Sequence, residues 1–401
     1  MHKIEFSPPD ITELEIDAVV DSLRAGWITT GPKTKQFERE LADYCGTNRA
    51  VCMNSATACM EMALRLMGIG PGDEVITSVY TYSASAAVID HVGAKIVFVD
   101  TEPGSFHIDI DAVEAVITRH TKAIIPVDIG GAMCDHARLR QIAEAHSDIF
   151  VPKGDMQRAL SRICILADAA HSFGSTKDGI KSGALADISC FSFHAIKNLT
   201  TAEGGAMTWL PMSGVDDEEI YRRLMLLSLH GQTKDALAKM QSPGNWEYDI
   251  VTPGYKCNMP DIMAALGLAQ LHRFEGMMQR RHEITERYDA NLNGSAITAL
   301  RHSGDGFASN MHLYLARIDG ADEDKRNRVI RYMAERDVAS NVHFKPLPLM
   351  TAYKQMGFKI DDFPNAYAQY RNEVSLPLHT HLSDEDVDRV CEVFLEAVDK
   401  A

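Results

Sequence analysis

Hydrophobic positions in the first half of the chain fall into short runs separated by helical stretches. Glu74-Val75-Ile76-Thr77-Ser78 predicts a strand, followed by a helix of small residues near 82–92. Lys95 to Asp100 predicts the next strand, and Lys122 to Val127 another after a helix near 109–118. Ile163 to Asp168 and Ile188 to Phe193 predict two more. These runs are almost continuously apolar, as strands buried on both faces are, so they predict a mainly parallel sheet covered by helices. Asn54-Ser55-Ala56-Thr57-Ala58 opens a helix with an apolar stripe of Ala58, Cys59, Met62, Ala63, Leu66 and Met67; Gly68 and Gly70-Pro71-Gly72 stop it. A long helix is expected over about 260–290, after Met259-Pro260-Asp261, because Pro fits a first turn and Asp complements its positive end. Residues 147–162 interrupt the rhythm and predict an irregular surface insertion. The expected class is α/β, with a large domain over 1–265 and, over 266–401, a connecting helix and a smaller C-terminal α+β domain.

Composition narrows the partners. The chain has 401 residues, 45% hydrophobic and 24% charged, with ample length for a large core. Its net charge of -16 argues against a nucleic-acid partner, which clustered Lys and Arg would bind. A small anion held by backbone donors stays open. The eight cysteines form no C-x-x-C pair, so no metal site of the zinc-ribbon kind is indicated; they are expected to be reduced and buried. The opening MHKIEFSPPD lacks the apolar stretch of a signal peptide, and no apolar run reaches the ~20 residues of a membrane helix. A soluble, cytoplasmic protein with no membrane partner is expected.

Ligands of such sheets gather at the carboxyl ends of strands, which directs attention to the polar residues there. Lys197 follows a strand in Ser192-Phe193-His194-Ala195-Ile196-Lys197-Asn198. Desolvation would lower its pKa and free a neutral amine for attack on an aldehyde. Gly204 and Gly205 allow close backbone approach. Asp168 ends the strand that begins at Ile163. It reads either as a turn or cap residue or as the partner of a pyridinium nitrogen. His171 would lie against such a ring, bond its 3-oxygen, or pack as an ordinary histidine. The helix start at Ala56 and Thr57 offers free N–H groups and a positive dipole end to a phosphate, alongside plain capping by Asn54 or Ser55. Tyr82 could stack on the ring or belong to the core. Together these groups suit pyridoxal phosphate (PLP), bound to Lys197 as a Schiff base.

The motifs resemble the DegT/DnrJ/EryC1/StrS family of nucleotide-sugar aminotransferases, of fold-type I. The likeness rests on Ser22 to Pro32, Asn54 to Ala58, Gly70 to Ile76, Ala167 to His171, Phe191 to Gly205 and Gly254 to Met259, in the family's order. It implies a large, mainly parallel seven-stranded sheet. It implies Lys197 as Schiff-base lysine and proton carrier, Asp168 on the ring nitrogen, and Ala56, Thr57 and Ser192 on the phosphate. Tyr82 would stack on the ring. Asn258 would reach the cofactor of a neighbouring subunit, making the active unit a homodimer. Thr29, Thr30 and Tyr255 would lie near the sugar, with His343 and Lys345 as further substrate contacts. Many relatives carry a second His a few positions after the first; here Pro348-Leu349-Met350 stands there.

The implied reaction moves the amino group of L-glutamate onto the cofactor, releasing 2-oxoglutarate and leaving pyridoxamine phosphate, and then onto a keto sugar. Ala25 to Pro32 and Phe193 to Asn198 look similar to enzymes making 4-amino sugars on UDP. The expected substrate is therefore a UDP-linked 4-keto-6-deoxy sugar, aminated at C4, for bacterial surface polysaccharide. Amination at C3 and dTDP- or GDP-linked sugars are the alternatives. A related dehydratase would have His in place of Lys197.

Overall fold

The computed structural model describes residues 2–235, 237, 240 and 247–401. Its largest sheet contains β1 (Ala50–Met53), β2 (Glu74–Ser78), β3 (Lys95–Val99), β4 (Thr121–Ile125), β5 (Cys164–Asp168), β8 (Ile188–Ser192) and β9 (Gly205–Trp209). Between β5 and β8 a short hairpin forms β6 (Thr176–Lys177) and β7 (Ile180–Lys181). The seven strands run in the order β1-β9-β8-β5-β4-β2-β3. All pair in parallel except β9, which is antiparallel to both β1 and β8.

Successive side chains of a strand point to opposite faces, and the core divides accordingly. Ala123, Ile125, Cys164 and Leu166 pack on one side with Met60, Met62 and Ala63 of the helix Ala56–Leu66. Ile124, Ile165 and Ala167 pack on the other with Phe37, Phe173 and Phe274. This is why the strand runs read as continuously apolar. The eight cysteines are free and buried, as expected.

The C-terminal part adds β10 (Ile297–Ala299), β11 (Ser303–Gly304), β12 (Phe307–Ala308), β13 (Tyr314–Ile318) and β14 (Glu373–Leu376). An antiparallel sheet β10-β13-β14 covers a core with Ile284, Tyr288, Val329 and Phe394. A four-stranded sheet β11-β12-β6-β7 ties this part to the hairpin after β5. No helix among the described residues is long and apolar enough to cross a membrane.

Two expectations need correction. The segment 147–162 is not simply an irregular surface insertion: Asp155–Leu160 is helical, with Met156 and Gln157 buried. The Gln157 Nε2 donates to the carbonyl of Met67 at 2.8 Å and its Oε1 accepts from the Lys153 N–H, so the segment closes the end of the helix Ala56–Leu66. The helix expected over 260–290 is two helices, Asp261–His272 and Phe274–Leu292. They break at Arg273, whose guanidinium binds Asp10 and Glu15 of the N-terminal segment. No Pro marks that break, so the pattern alone runs through it.

Asp261 also does more than complement its own helix. Its carboxylate accepts from the N–H groups of Gly31, Lys33 and Thr34 at 2.8–3.0 Å and from the Thr34 hydroxyl at 2.7 Å. It thereby caps the helix Pro32–Cys45, whose own N-cap is a glycine without a side-chain acceptor. The Asp261 bonds hold the loop at Thr29–Gly31 against Asn258–Pro260.

Candidate active site

Asp168 is the last residue of β5 and is 4% exposed. Its Oδ2 accepts from the Ser85 hydroxyl at 2.6 Å and its Oδ1 from the Ala170 N–H at 3.2 Å. Burial raises its pKa above the ordinary carboxylate value, while these donors and the charge of Lys197 oppose that rise. Such a carboxylate is held in place but lacks a full counter-charge, the condition that favours a cationic N–H partner.

Lys197 lies in the turn after β8, with its N–H on the carbonyl of His194 at 2.8 Å. Enclosure of its amine pushes its pKa down to about 8, and Asp168 opposes that shift. About a tenth of the amine is therefore neutral near pH 7, far more than for an ordinary lysine, as a nucleophile or base needs.

Aromatic and imidazole rings line the same cleft. His171, after β5, accepts the Gly130 N–H on Nδ1 at 3.2 Å, so Nε2 carries its proton. Burial lowers its pKa well below the usual value and keeps the ring neutral. His312 packs at 4.4 Å from His171 between ring centroids, and Phe344 stacks on His171 at 5.8 Å. Tyr82, 65% exposed, stands at the mouth with its ring 6.0 Å from Phe344. His343 is buried; its Nδ1 bonds the Ser375 hydroxyl at 2.8 Å, and burial pushes its pKa down to about 3.

Ser55 caps the helix Ala56–Leu66 by accepting the Ala58 N–H, and the first intrahelical bond is Cys59 N–H to Ser55 O. The amides of Ala56 and Thr57 precede it and suit an anion. Gly205 at the start of β9 makes this arrangement possible. A Cβ there would stand 2.4 Å from the Ser55 carbonyl carbon and 2.5 Å from the Ala56 nitrogen. These are backbone atoms that cannot rotate away. Gly205→Ala is therefore expected to lower unfolding stability by about 1–3 kcal/mol. It should also weaken binding of pyridoxal phosphate at least about tenfold by displacing the helix start. Thermal melting and a cofactor titration check both effects; unchanged affinity would contradict this reading of the helix start. Ser192 ends β8 and lines the cleft with Lys197, His171 and His312.

The remaining residues named from the sequence make their contacts elsewhere, Asn258 beside the helix start. Thr29 is exposed. Thr30 is 3% exposed; its hydroxyl donates to the Met259 carbonyl at 2.6 Å and accepts from the Asn258 Nδ2, so it locks a loop within the chain. Asn258 bridges Met53 at the end of β1. Tyr255 is 39% exposed, with the Arg65 guanidinium 4.6 Å from its ring centroid. Lys345 is exposed.

Four residues of the cleft escaped the sequence reading: Ser85, Asn198, Asn310 and His312. Asn310 and His312 precede the apolar strand Tyr314–Ile318. Polar residues at a strand entrance were a usable signal there. Ser85 sits among Ala84, Ala86 and Ala87 and gave none.

A mainly parallel seven-stranded sheet that brings a lysine amine and a carboxylate into one cleft is the architecture of a fold-type I aminotransferase. The sequence matches the DegT/DnrJ/EryC1/StrS aminotransferase family over residues 9–395, and the chain belongs to that family. It is 39% identical over 402 residues to the spore coat polysaccharide biosynthesis protein SpsC of Bacillus subtilis (strain 168), covering 99% of this chain and 97% of that protein. Spr1654 of Streptococcus pneumoniae, assigned as a sugar aminotransferase and solved in a PMP form, is 54% identical with a TM-score of 0.96, covering 99% of both chains. It has also been solved in a PLP form. The Helicobacter pylori aminotransferase PseC, involved in pseudoaminic acid biosynthesis, is 26% identical with a TM-score of 0.87, covering 100% of both.

Proposed function

We propose that this protein transfers the amino group of L-glutamate to a keto group of a nucleotide-linked sugar, using PLP. The observation that carries this reading is the convergence of Lys197, Asp168 and the helix start at Ala56 and Thr57. The residues fit the cofactor: a buried carboxylate for a ring nitrogen, an amine for an aldehyde, and a dipole end made reachable by Gly205 for a phosphate. When bound, PLP supplies an electron sink for the bond electrons released at the amino carbon.

The chain's own groups would divide the work. Asp168 would hold the ring nitrogen protonated. Lys197 would take the proton from the amino-bearing carbon and return it on the other side of the reaction. His171, with its proton on Nε2, can donate to the ring 3-oxygen. Thr57 and Ser192 would add hydroxyls to the phosphate site, and Tyr82, at the mouth of the cleft, would stack over the ring. Asn258 would serve the cofactor of a second copy, so the working unit is a homodimer.

For the acceptor, we infer a UDP-linked 4-keto-6-deoxy sugar aminated at C4, destined for a surface polysaccharide. The spore coat and pseudoaminic acid relatives support a sugar of that general kind. Thr29, Tyr255, His343 and Lys345 are its proposed contacts. The test is incubation of the holoenzyme with L-glutamate and 4-keto sugars carried on UDP, dTDP and GDP, with the product mass read by mass spectrometry. An amino sugar formed on UDP is the expected result. Amination only on dTDP or GDP would overturn the nucleotide assignment, and a dehydrated product without nitrogen would overturn the transfer itself.

A further inference from the structure

The amine of Lys197 has a defined neighbour. Its Nζ lies 3.4 Å from Nε2 of His312. Which nitrogen of that imidazole carries the proton follows from its opposite side, where Nδ1 lies 3.0 Å from Oδ1 of Asn198. The amide of Asn198 has one orientation, because its Nδ2 donates to the Asn310 carbonyl at 2.7 Å and an oxygen there would face another acceptor. Nδ1 of His312 therefore holds the hydrogen and donates it to Asn198. Nε2 presents a lone pair to the lysine.

The groups that face this amine are Asp168, His171, His312 and His343. His171 uses Nδ1 on Gly130 and His343 uses Nδ1 on Ser375. Among the described residues, His312 is the imidazole whose nitrogen lies within hydrogen-bond distance of Nζ. Burial, with His171, Lys197, Arg281 and His343 acting in the same direction, keeps His312 neutral. It can accept an N–H, and it stays neutral while doing so.

A lysine that serves alternately as cofactor anchor and as proton carrier spends part of each cycle as a free amine on a flexible four-carbon stem. A stem of that kind samples many rotamers, and proton transfer needs the nitrogen within hydrogen-bond reach of one carbon. We infer that His312, oriented by Asn198, is a positioning residue that seats the free amine of Lys197 while it is not bonded to the cofactor. The seat is built from two distant stretches: Asn198 follows the lysine, and Asn310 and His312 precede β13. This inference rests on the assignment of Lys197 made above.

The test uses cofactor-stripped protein mixed rapidly with pyridoxal phosphate, following the visible absorbance that marks the lysine-linked cofactor. His312→Phe keeps an aromatic ring for packing but offers no acceptor. It should capture the cofactor about tenfold more slowly, the effect expected of one hydrogen bond. Its affinity for pyridoxamine phosphate, which cannot bond to the lysine, should stay within about twofold of the native value. His312→Gln, whose amide oxygen can accept the same N–H, should recover capture to within about threefold. Capture by His312→Phe at the native rate would overturn the inference. So would His312→Gln being as slow as His312→Phe, or pyridoxamine phosphate affinity falling in step with the capture rate. Failure of the underlying assignment is read separately: a Lys197→Ala protein that still develops the visible band has a different anchor.

Discussion

Lys197→Ala is expected to lower amino transfer by at least about 10⁴-fold, the upper range for loss of a positioned acid–base group. In the proposed reaction the lysine would be both the attachment point and the proton carrier, so its loss would remove two functions at once. Its three imidazole neighbours are held neutral by burial with pKa values driven down, which leaves them poor bases at the required position. The same variant should lose the visible absorbance of the lysine-linked cofactor. Single-turnover measurement of pyridoxamine phosphate formation from glutamate checks the rate, and a spectrum of the same sample checks the attachment. The pH dependence of the native enzyme carries a sign. Enclosure lowers the Lys197 pKa from the usual 10.5 to about 8. The proton-abstracting form is the neutral amine, so the rate of that step should rise with pH and level off above about 8. A rate that fell over the same range would remove Lys197 from this role.

Asp168→Asn should act in opposite directions on catalysis and on stability. With cofactor bound, the substitution would remove the charge proposed to keep the ring nitrogen protonated. The loss matches breaking a buried ion pair, about 3–5 kcal/mol, or roughly 10²- to 10⁴-fold in rate. Without cofactor the carboxylate is a burden, because burial raises its pKa from the usual 3.8. A carboxyl with a raised folded-state pKa favours the fold below its unfolded value and loses that contribution as pH rises through the folded value. Cofactor-free Asp168→Asn should therefore melt at a higher temperature than the native protein at neutral pH, and the difference should close near pH 3.8 and below. The amide can keep its oxygen on the Ala170 N–H and turn its nitrogen to Ser85, so the variant remains packed. A lower melting temperature at neutral pH would show that Asp168 supports the fold by some interaction other than those described.

Much of this site was legible before folding. The strand Cys164–Asp168 is uniformly apolar up to its final carboxylate, and that contrast marks Asp168 as a residue at a strand's open end. The helix start at Asn54-Ser55-Ala56-Thr57 carries its own capping residue and its own glycine stop. Lys197 is marked by the strand before it and the glycines after it. Each of these signals is local, written within about ten residues by period and by capping chemistry.

What only the tertiary structure decided is which distant groups meet. His312 comes to Lys197, and Asn310 to Asn198, because the residues before β13 dock on the turn after β4, where the His312 and Leu313 N–H groups donate to the Gly130 carbonyl. Ser85 reaches Asp168 from a neighbouring helix, and Asp261 caps a helix that begins at Pro32 rather than only its own. The break at Arg273 has the same origin, since Asp10 and Glu15 hold its side chain from far along the chain. Propensity and period act over a few residues, whereas a hydrogen bond between remote segments depends on how whole elements stack. The sequence by itself therefore determined most strands of the large sheet, the sheet class and the lysine, carboxylate and helix start of the site. The partners that orient those groups, and the hydroxyl of Thr30 turned inward to lock its loop, were decided by packing.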